Sequence, residues 1–281
     1  MTSKGIVWIT GCRGFLGGEM VDRFEKAGYN VVGTDVELSI TEGDRLRAFA
    51  EEVQPSIVVN CAGIRREATT LGTRVKAYET NAIGAQNVAL AANTVGALIV
   101  QASSDDVFPA KLGEPVNEFD SPDPDSPYGK SKRAGEMMVR NTTNKHLIVR
   151  SSWLYHATSG RMHAVLKAAR EGRTIEARID QFAAPTSVAL YANLILSAIE
   201  KGSTGTVHFV TRGSTSRYGF AAKLLELTGY DPEKVLIPAE DELTAENVVL
   251  ESMMLDIVGE TLPTWEEDLE AYLREQGLLA Q

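Results

Sequence analysis

Residues 5–20 read "GIVWITGCRGFLGGEM", and the reading of this stretch decides the fold. Ile6–Thr10 is a short apolar run of the kind that fills a strand buried on both faces. Gly11, Gly14 and Gly17 follow at the spacing G-x-x-G-x-x-G, and the segment after them has helical periodicity. A tight glycine turn between a strand and a helix lets a pyrophosphate approach backbone amides at the helix N-terminus, where a Cβ would obstruct it. Glycines also punctuate ordinary turns, so the strand and helix on either side carry the inference. Arg13, Phe15 and Leu16 complete the candidate phosphate loop.

Working outward, the strand–helix alternation repeats. Further strands are expected at Asn30–Thr34, 56–60, 97–103 and His146–Ser151, with helices over 15–27, 43–53, 74–94 and 127–143. This alternation predicts an α/β fold with a doubly wound parallel sheet over residues 1–150. The pattern loosens over 151–281, which reads as a small C-terminal lobe, with 186–210 packing back on the core. There, 173–187 ("RTIEARIDQFAAPTS") reads as a strand followed by a loop. Helices are expected at 186–200 and 216–228, a strand at 206–210, and an acidic amphipathic helix in the tail.

Composition narrows the function classes. The chain has 281 residues, of which 43% are apolar, enough for a sizeable core without disulfide or metal staples. A net charge of −10 argues against nucleic acid as a partner. No apolar run approaches the roughly 20 residues of a membrane helix. With two cysteines, Cys12 and Cys61, and no signal-peptide pattern, a cytoplasmic location is expected. The two thiols fall on neighbouring loops and read as space-filling. No His/Cys cluster has metal-ligand spacing, so no metal is expected.

Asp35 ends the second strand, 18 residues beyond Gly17. A carboxylate there accepts hydrogen bonds from adenosine ribose hydroxyls and repels a 2′-phosphate, which favours NAD(H). Arg13 could pair with that phosphate, so NADP(H) stays open. Asn60, Ala62 and Gly63 end the third strand, where small residues let the chain pass close to a cofactor. In "DSPYGKSKRAGE", Ser126 is a natural N-cap and Pro127 a natural first helical residue. Tyr128 and Lys132 then share one helix face. The fourth strand ends in "QASSDDVF", which places Ser104, Asp105 and Asp106 at the carboxyl edge of the sheet, the usual ligand side.

Taken in order, the glycine loop, Asp35, the Asn60 loop, Ser104 and Tyr128-x-x-x-Lys132 resemble the extended short-chain dehydrogenase/reductase superfamily, whose core is Rossmann-type. Within it the chain is most similar to the dTDP-4-dehydrorhamnose reductases. "SSDDVF" resembles their S-T-D-Y-V-F, "VRSSWLY" their R-T-S-W-V-Y, "DQFAAPTS" their D-Q-F-G-A-P-T, and "LPTWEEDLEAYL" their C-terminal P-x-W helix.

The resemblance implies an NAD(P)-dependent oxidoreductase that reduces a keto group on a nucleotide sugar, and a homodimer formed through helices near 74–94 and 127–143. It implies that Tyr128 protonates the carbonyl oxygen, that Lys132 holds the nicotinamide ribose and lowers the tyrosine pKa, and that Ser104 hydrogen-bonds the substrate oxygen. Asn81 takes a supporting place near the lysine. Trp153, Asp180, Gln181, Pro185 and Thr186 fall on the substrate side, and Arg65 and Arg66 could meet a phosphate or carboxylate. Ser103 and Asp105 are expected to order the strand end through local hydrogen bonds.

The sequence departs from the family pattern at Asp106, where the reductases carry tyrosine. An adjacent acid pair resembles the T-D-E run of nucleotide-sugar 4,6-dehydratases, so dehydratase or epimerase chemistry through Asp105 and Asp106 is an alternative. A non-catalytic role is a third reading, as in the regulatory β subunit of methionine adenosyltransferase, which resembles the same reductases.

Overall fold

A computed structural model of the chain describes residues 4–110, 114–242 and 246–280. In chain order its elements begin β1 (Ile6–Thr10), α1 (Phe15–Lys26), β2 (Asn30–Thr34), α2 (Gly43–Val53), β3 (Ile57–Asn60) and α3 (Arg74–Tyr78). A π-helical segment, Glu79–Gly84, leads into α4 (Ala85–Thr94), β4 (Leu98–Ser104), α5 (Pro127–Thr142) and β5 (His146–Ser151). Next come β6 (Leu154–Tyr155), α6 (Gly160–Arg170), β7 (Ile175–Arg178), β8 (Gln181–Ala183), β9 (Thr186–Ser187), α7 (Val188–Glu200) and β10 (Gly205–His208). The chain closes with β11 (Thr215–Ser216), α8 (Arg217–Leu227), α9 (Pro232–Val235), β12 (Leu236–Ala239), β13 (Glu246–Asn247), α10 (Met253–Ile257) and α11 (Trp265–Glu275).

These elements form two compact units. The first comprises residues 1–109, 121–150 and 192–207. Its six-stranded sheet has the order β10-β5-β4-β3-β1-β2, and the β1–β2, β1–β3 and β3–β4 pairs are parallel. Strand order reverses beside β1, and ligands of such sheets bind at that switch point, beyond the carboxyl ends of the strands. β3 is buried along its whole length: Ile57–Val59 is apolar, and Asn60 at its end is hydrogen-bonded. The core gathers Trp8, Leu46, Val58, Val88, Ile99 and Ile148 from sheet and helices. The helix expected over 74–94 is continuous but not uniform, because one π turn interrupts it at Glu79–Gly84.

The second unit comprises residues 110–120, 151–191 and 208–281. It holds the three-stranded sheet β11-β8-β13 and the pairs β12-β7 and β6-β9. The expected loop after 178 is therefore corrected. Gln181–Ala183 pairs with β11 and β13, and Thr186–Ser187 pairs with β6. Strands of two or three residues carry too little periodicity to be read from sequence, and their partners lie far away in the chain. α11 starts with a complete capping box between Thr264 and Glu267. Its buried Asp268 accepts hydrogen bonds from Tyr155 Oη at 2.7 Å, Ser187 N at 2.7 Å and Ser187 Oγ at 2.8 Å.

Candidate active site

The phosphate loop is shaped for close backbone approach. A Cβ on Gly17 would overlap the Gly11 carbonyl oxygen, so only glycine lets α1 begin this close to the turn. The N-cap of α1 is Gly14, and no side chain caps the helix. Its first-turn amides thus point into a glycine-lined cradle suited to a pyrophosphate, which is where a dinucleotide fits. Phe15 and Leu16 lie in that first turn.

Asp35 closes this loop from β2. Its Oδ2 accepts from Arg13 N at 2.9 Å and its Oδ1 from Val36 N at 2.9 Å. Glu37 adds a second carboxylate that pairs with the Arg13 guanidinium, Nη2 to Oε2, at 2.5 Å. Sequence reading missed Glu37, because its reach back to Arg13 depends on the 3₁₀ turn at Val36–Leu38.

Asn60 is buried and ties three strands together. It accepts from Thr10 Oγ1 at 2.6 Å and donates to Gln101 Oε1 at 2.8 Å. The side chain thus braces the strand ends, while Ala62 and Gly63 continue as a small-residue loop. Cys61 is pushed up to about 12 by burial, and burial raises Cys12 as well, so neither thiol is poised as a nucleophile.

Helix α5 delivers Tyr128 and Lys132. Ser126 Oγ accepts from Gly129 N at 2.9 Å and Pro127 occupies the first turn, as the sequence indicates. A Cβ on Gly129 would overlap the Asp106 carbonyl oxygen, so the helix start lies directly against the turn after β4. Lys132 Nζ donates to the Ala102 carbonyl at 2.7 Å. Burial brings Lys132 down to about 8, partly opposed by Glu136, Cys61 and Asp106.

Tyr128 departs from expectation. Burial, then the negative charges of Asp106 and Asp105, push its phenol above the ordinary range, and the Ser104 hydroxyl pulls only weakly the other way. Burial is the largest cause of this rise and the charges of Asp106 and Asp105 add to it, while the Lys132 ammonium is directed at the Ala102 carbonyl.

The turn after β4 concentrates polar contacts. Ser104 Oγ lies 2.9 Å from Asp105 Oδ1 and 3.2 Å from Asp106 Oδ2, and it accepts from Asp106 N at 3.2 Å. One hydroxyl proton therefore serves two competing carboxylates. Arg66 pairs with Asp106 Oδ1 at 3.3 Å. Arg65 is exposed, and its carbonyl accepts from Ala68 N. Beyond its own turn, the Ser103 hydroxyl donates to Glu136 Oε1 at 2.7 Å. β4 and α5 run side by side there, which sequence spacing does not reveal.

Asn81 acts as a bracket from the π turn. It accepts from Ile64 N at 2.8 Å and donates to Ile64 O and Ser131 Oγ, each at 3.0 Å. Ser131 in turn donates to the Tyr128 carbonyl at 2.7 Å. This links the loop after β3 to the first turn of α5, beside Lys132. π turns often mark functional sites for such reasons.

In the second unit, Trp153 is half-buried, and the Arg217 guanidinium stacks 3.4 Å from its ring centroid. Gln181 opens β8 and is half-buried. Asp180 forms a two-point pair with Arg178 at 2.7 Å per contact, which holds its carboxyl down at about 2. Thr186 is fully buried and accepts from Thr211 N, and the Pro185 carbonyl accepts from Thr211 Oγ1. Asp180, Pro185 and Thr186 thus organise this unit's backbone, and Trp153 and Gln181 retain exposed surface. Among the described residues, no group of three or more His, Cys, Asp or Glu could hold a metal ion.

The family model described as "RmlD substrate binding domain" matches residues 5–277. The chain belongs to that family. The RmlD-type chain is 32% identical to the Bacillus subtilis "Spore coat polysaccharide biosynthesis protein SpsK", over 96% of this chain and 98% of that protein. It is 31% identical to "dTDP-4-dehydrorhamnose reductase" of Streptomyces griseus, over 81% and 77%. A solved dTDP-4-dehydrorhamnose reductase from Bacillus anthracis, in complex with NADP, superposes with a TM-score of 0.90 at 33% identity, covering 97% of this chain and 99% of that one. RmlD-type reductases fall within the extended short-chain dehydrogenase/reductase superfamily, as the sequence resemblance implied.

Proposed function

We propose that this protein is an NAD(P)-dependent reductase of a keto group on a nucleotide sugar, of the dTDP-4-dehydrorhamnose reductase type. The observation that carries this reading is the convergence of Tyr128, Lys132 and Ser104, set by α5 and the end of β4 beside a glycine-lined dinucleotide cradle. The nicotinamide supplies the hydride to the carbonyl carbon. Tyr128 gives its phenolic proton to the carbonyl oxygen, so the C=O π pair becomes the new O–H bond. Lys132 supplies positive charge and a ribose hydrogen-bond donor. Ser104 holds the reacting oxygen once its proton is drawn away from Asp105 and Asp106.

Gly11, Gly14, Gly17, Ala62 and Gly63 line the dinucleotide, with Asp35 at the adenosine ribose. NAD(H) is favoured, because the carboxylates of Asp35 and Glu37 both engage Arg13 and surround the place a 2′-phosphate would take. Arg65 meets an anionic group of the sugar nucleotide. Dehydratase chemistry is disfavoured because Asp106 is paired with Arg66 and both acids share the Ser104 hydroxyl. No described helix is long and apolar enough to cross a membrane. A cytoplasmic location is the reading favoured by a chain with two cysteines, both free.

It works as a homodimer. Val75, Tyr78, Ile83, Leu90 and Met137 leave apolar side chains exposed along the 74–94 and 127–142 helices. Leu90→Glu with Met137→Glu is expected to yield monomers in light scattering; an unchanged mass excludes this face as the interface.

The test of the activity is oxidation of NADH or NADPH by a panel of 4-keto nucleotide sugars. Turnover is expected with at least one, falling by a factor of about 10² or more in Tyr128→Phe. Turnover that survives this substitution overturns the mechanism. Net dehydration of a nucleotide sugar without cofactor consumption would establish the dehydratase instead.

A further inference from the structure

We propose that Asp106, held by Arg66, is a positioning residue that keeps the proton on Tyr128 and so moves both directions of catalysis to higher pH. The proposal rests on Tyr128 being the proton donor. It explains the chain's departure from the family pattern at this position.

The geometry is an acidic turn set directly against the helix start that carries Tyr128, with the Gly129 backbone on the Asp106 carbonyl. Asp105 and Asp106 stand on the turn after β4, with Ser104 Oγ between their carboxylates at 2.9 and 3.2 Å. Glu67, on the 3₁₀ turn after β3, adds a more distant negative charge. From α5 itself comes Lys132, whose ammonium is directed at the Ala102 carbonyl. Arg66 is the counter-cation of Asp106 at 3.3 Å; its side chain is 41% exposed, and that of Asp106 is 15% exposed. The Asp106 charge therefore acts through poorly solvated surroundings, where the interaction between charges is strong. Gly129 locks the distance, because its backbone rests against the Asp106 carbonyl. A phenolate at Tyr128 would face this acidic turn, and Ser104 could stabilise it only by withdrawing its proton from a carboxylate. Burial is the largest cause of the rise at Tyr128, and Asp106 is the largest charge contribution after it, in agreement with this layout.

The consequence has a definite sign. Reduction needs the phenol and runs below its titration. Oxidation of the sugar hydroxyl needs the phenolate, which takes the hydroxyl proton as hydride leaves the carbon. A neighbouring negative charge displaces both limbs upward.

The experiment is the pH profile of nucleotide-sugar oxidation at saturating NAD(P)+ in wild type, Asp106→Asn and Arg66→Gln. The onset of oxidation is expected to fall by about one pH unit in Asp106→Asn. It is expected to rise in Arg66→Gln, where the carboxylate loses its counter-charge. Arg66 is exposed, so that variant keeps the fold even if Asp106→Asn does not. A purely structural role would lower the rate of both variants without moving their profiles in opposite directions. Profiles that superimpose on wild type in folded variants overturn the proposal. Tyr128→Phe separates the two readings: if it retains turnover, the donor assignment fails, whatever the profiles of Asp106 and Arg66 show.

Discussion

Glu136 and Arg150 are joined by two parallel hydrogen bonds, Arg150 Nε to Oε1 and Nη2 to Oε2, each 2.9 Å long. Both side chains are removed from solvent, at 0% and 1% exposure. Arg133 and Ser103 complete the shell around the carboxylate; against the cost of burial, the Arg150 guanidinium, then the Ser103 hydroxyl and the Arg133 charge, hold Glu136 ionised. The pair fastens α5 to β5 one helical turn beyond Lys132. Glu136→Gln leaves a buried guanidinium without its counter-charge, with an expected loss of about 3–5 kcal/mol in urea unfolding. Replacing both residues with methionine is expected to recover much of that loss, because the desolvation cost of two charges disappears.

Gly129→Ala is expected to destabilise the protein by about 1–3 kcal/mol, measured by thermal or urea unfolding, and to lower turnover together with stability. The sign is informative. In an exposed helix this exchange stabilises by about 1 kcal/mol, whereas here the added methyl meets the Asp106 carbonyl. A stabilised variant would show that α5 can draw back from the turn without penalty.

Lys132 carries its charge below about pH 8 and loses it above, because burial has lowered its titration. The KM for the reduced cofactor is therefore expected to be flat at neutral pH and to climb as pH passes through about 8. Lys132→Arg should remove that inflection, since a guanidinium does not titrate there. A KM profile without an inflection in wild type would argue against contact between Lys132 and the cofactor.

Glu37→Gln is expected to raise the ratio of kcat/KM for NADPH over NADH by about fivefold. The Arg13–Glu37 pair is exposed on both sides, so its rupture costs little and leaves the Arg13 guanidinium with only its longer contact to Asp35 among these pairs. Steady-state kinetics with both cofactors test this. An unchanged ratio would place Arg13 out of reach of the 2′-position.

Much of the first unit was legible because each signal is local. Strands β1, β2 and β5 have the bounds expected around their short apolar runs, and Ser126 and Pro127 start α5 as their capping chemistry requires. The glycine loop announced itself because backbone approach admits no substitute for glycine at Gly17. What escaped were contacts between residues distant in sequence. Glu136 sits one turn after Lys132 in plain view, yet nothing in "SKRAGE" indicates that Arg150 and Ser103 close on it. The Ser103 hydroxyl reaches a helix residue 33 positions later, a contact that its local sequence does not indicate. Strands β8 and β9 were read as loop, because two or three residues acquire strand character only from a partner.

By itself, then, the sequence determined the alternation of strand and helix, the phosphate turn, and the order in which Ser104, Tyr128 and Lys132 arrive at the sheet edge. Periodicity, capping and glycine stereochemistry act over a few residues and are written locally. Only the tertiary structure decided the charge around Tyr128. Burial and then the Asp106 charge raise the phenol, Arg66 pairs with Asp106, and Lys132 turns to the Ala102 carbonyl. Electrostatic influence depends on distance and burial in space, and neither is a property of position along the chain.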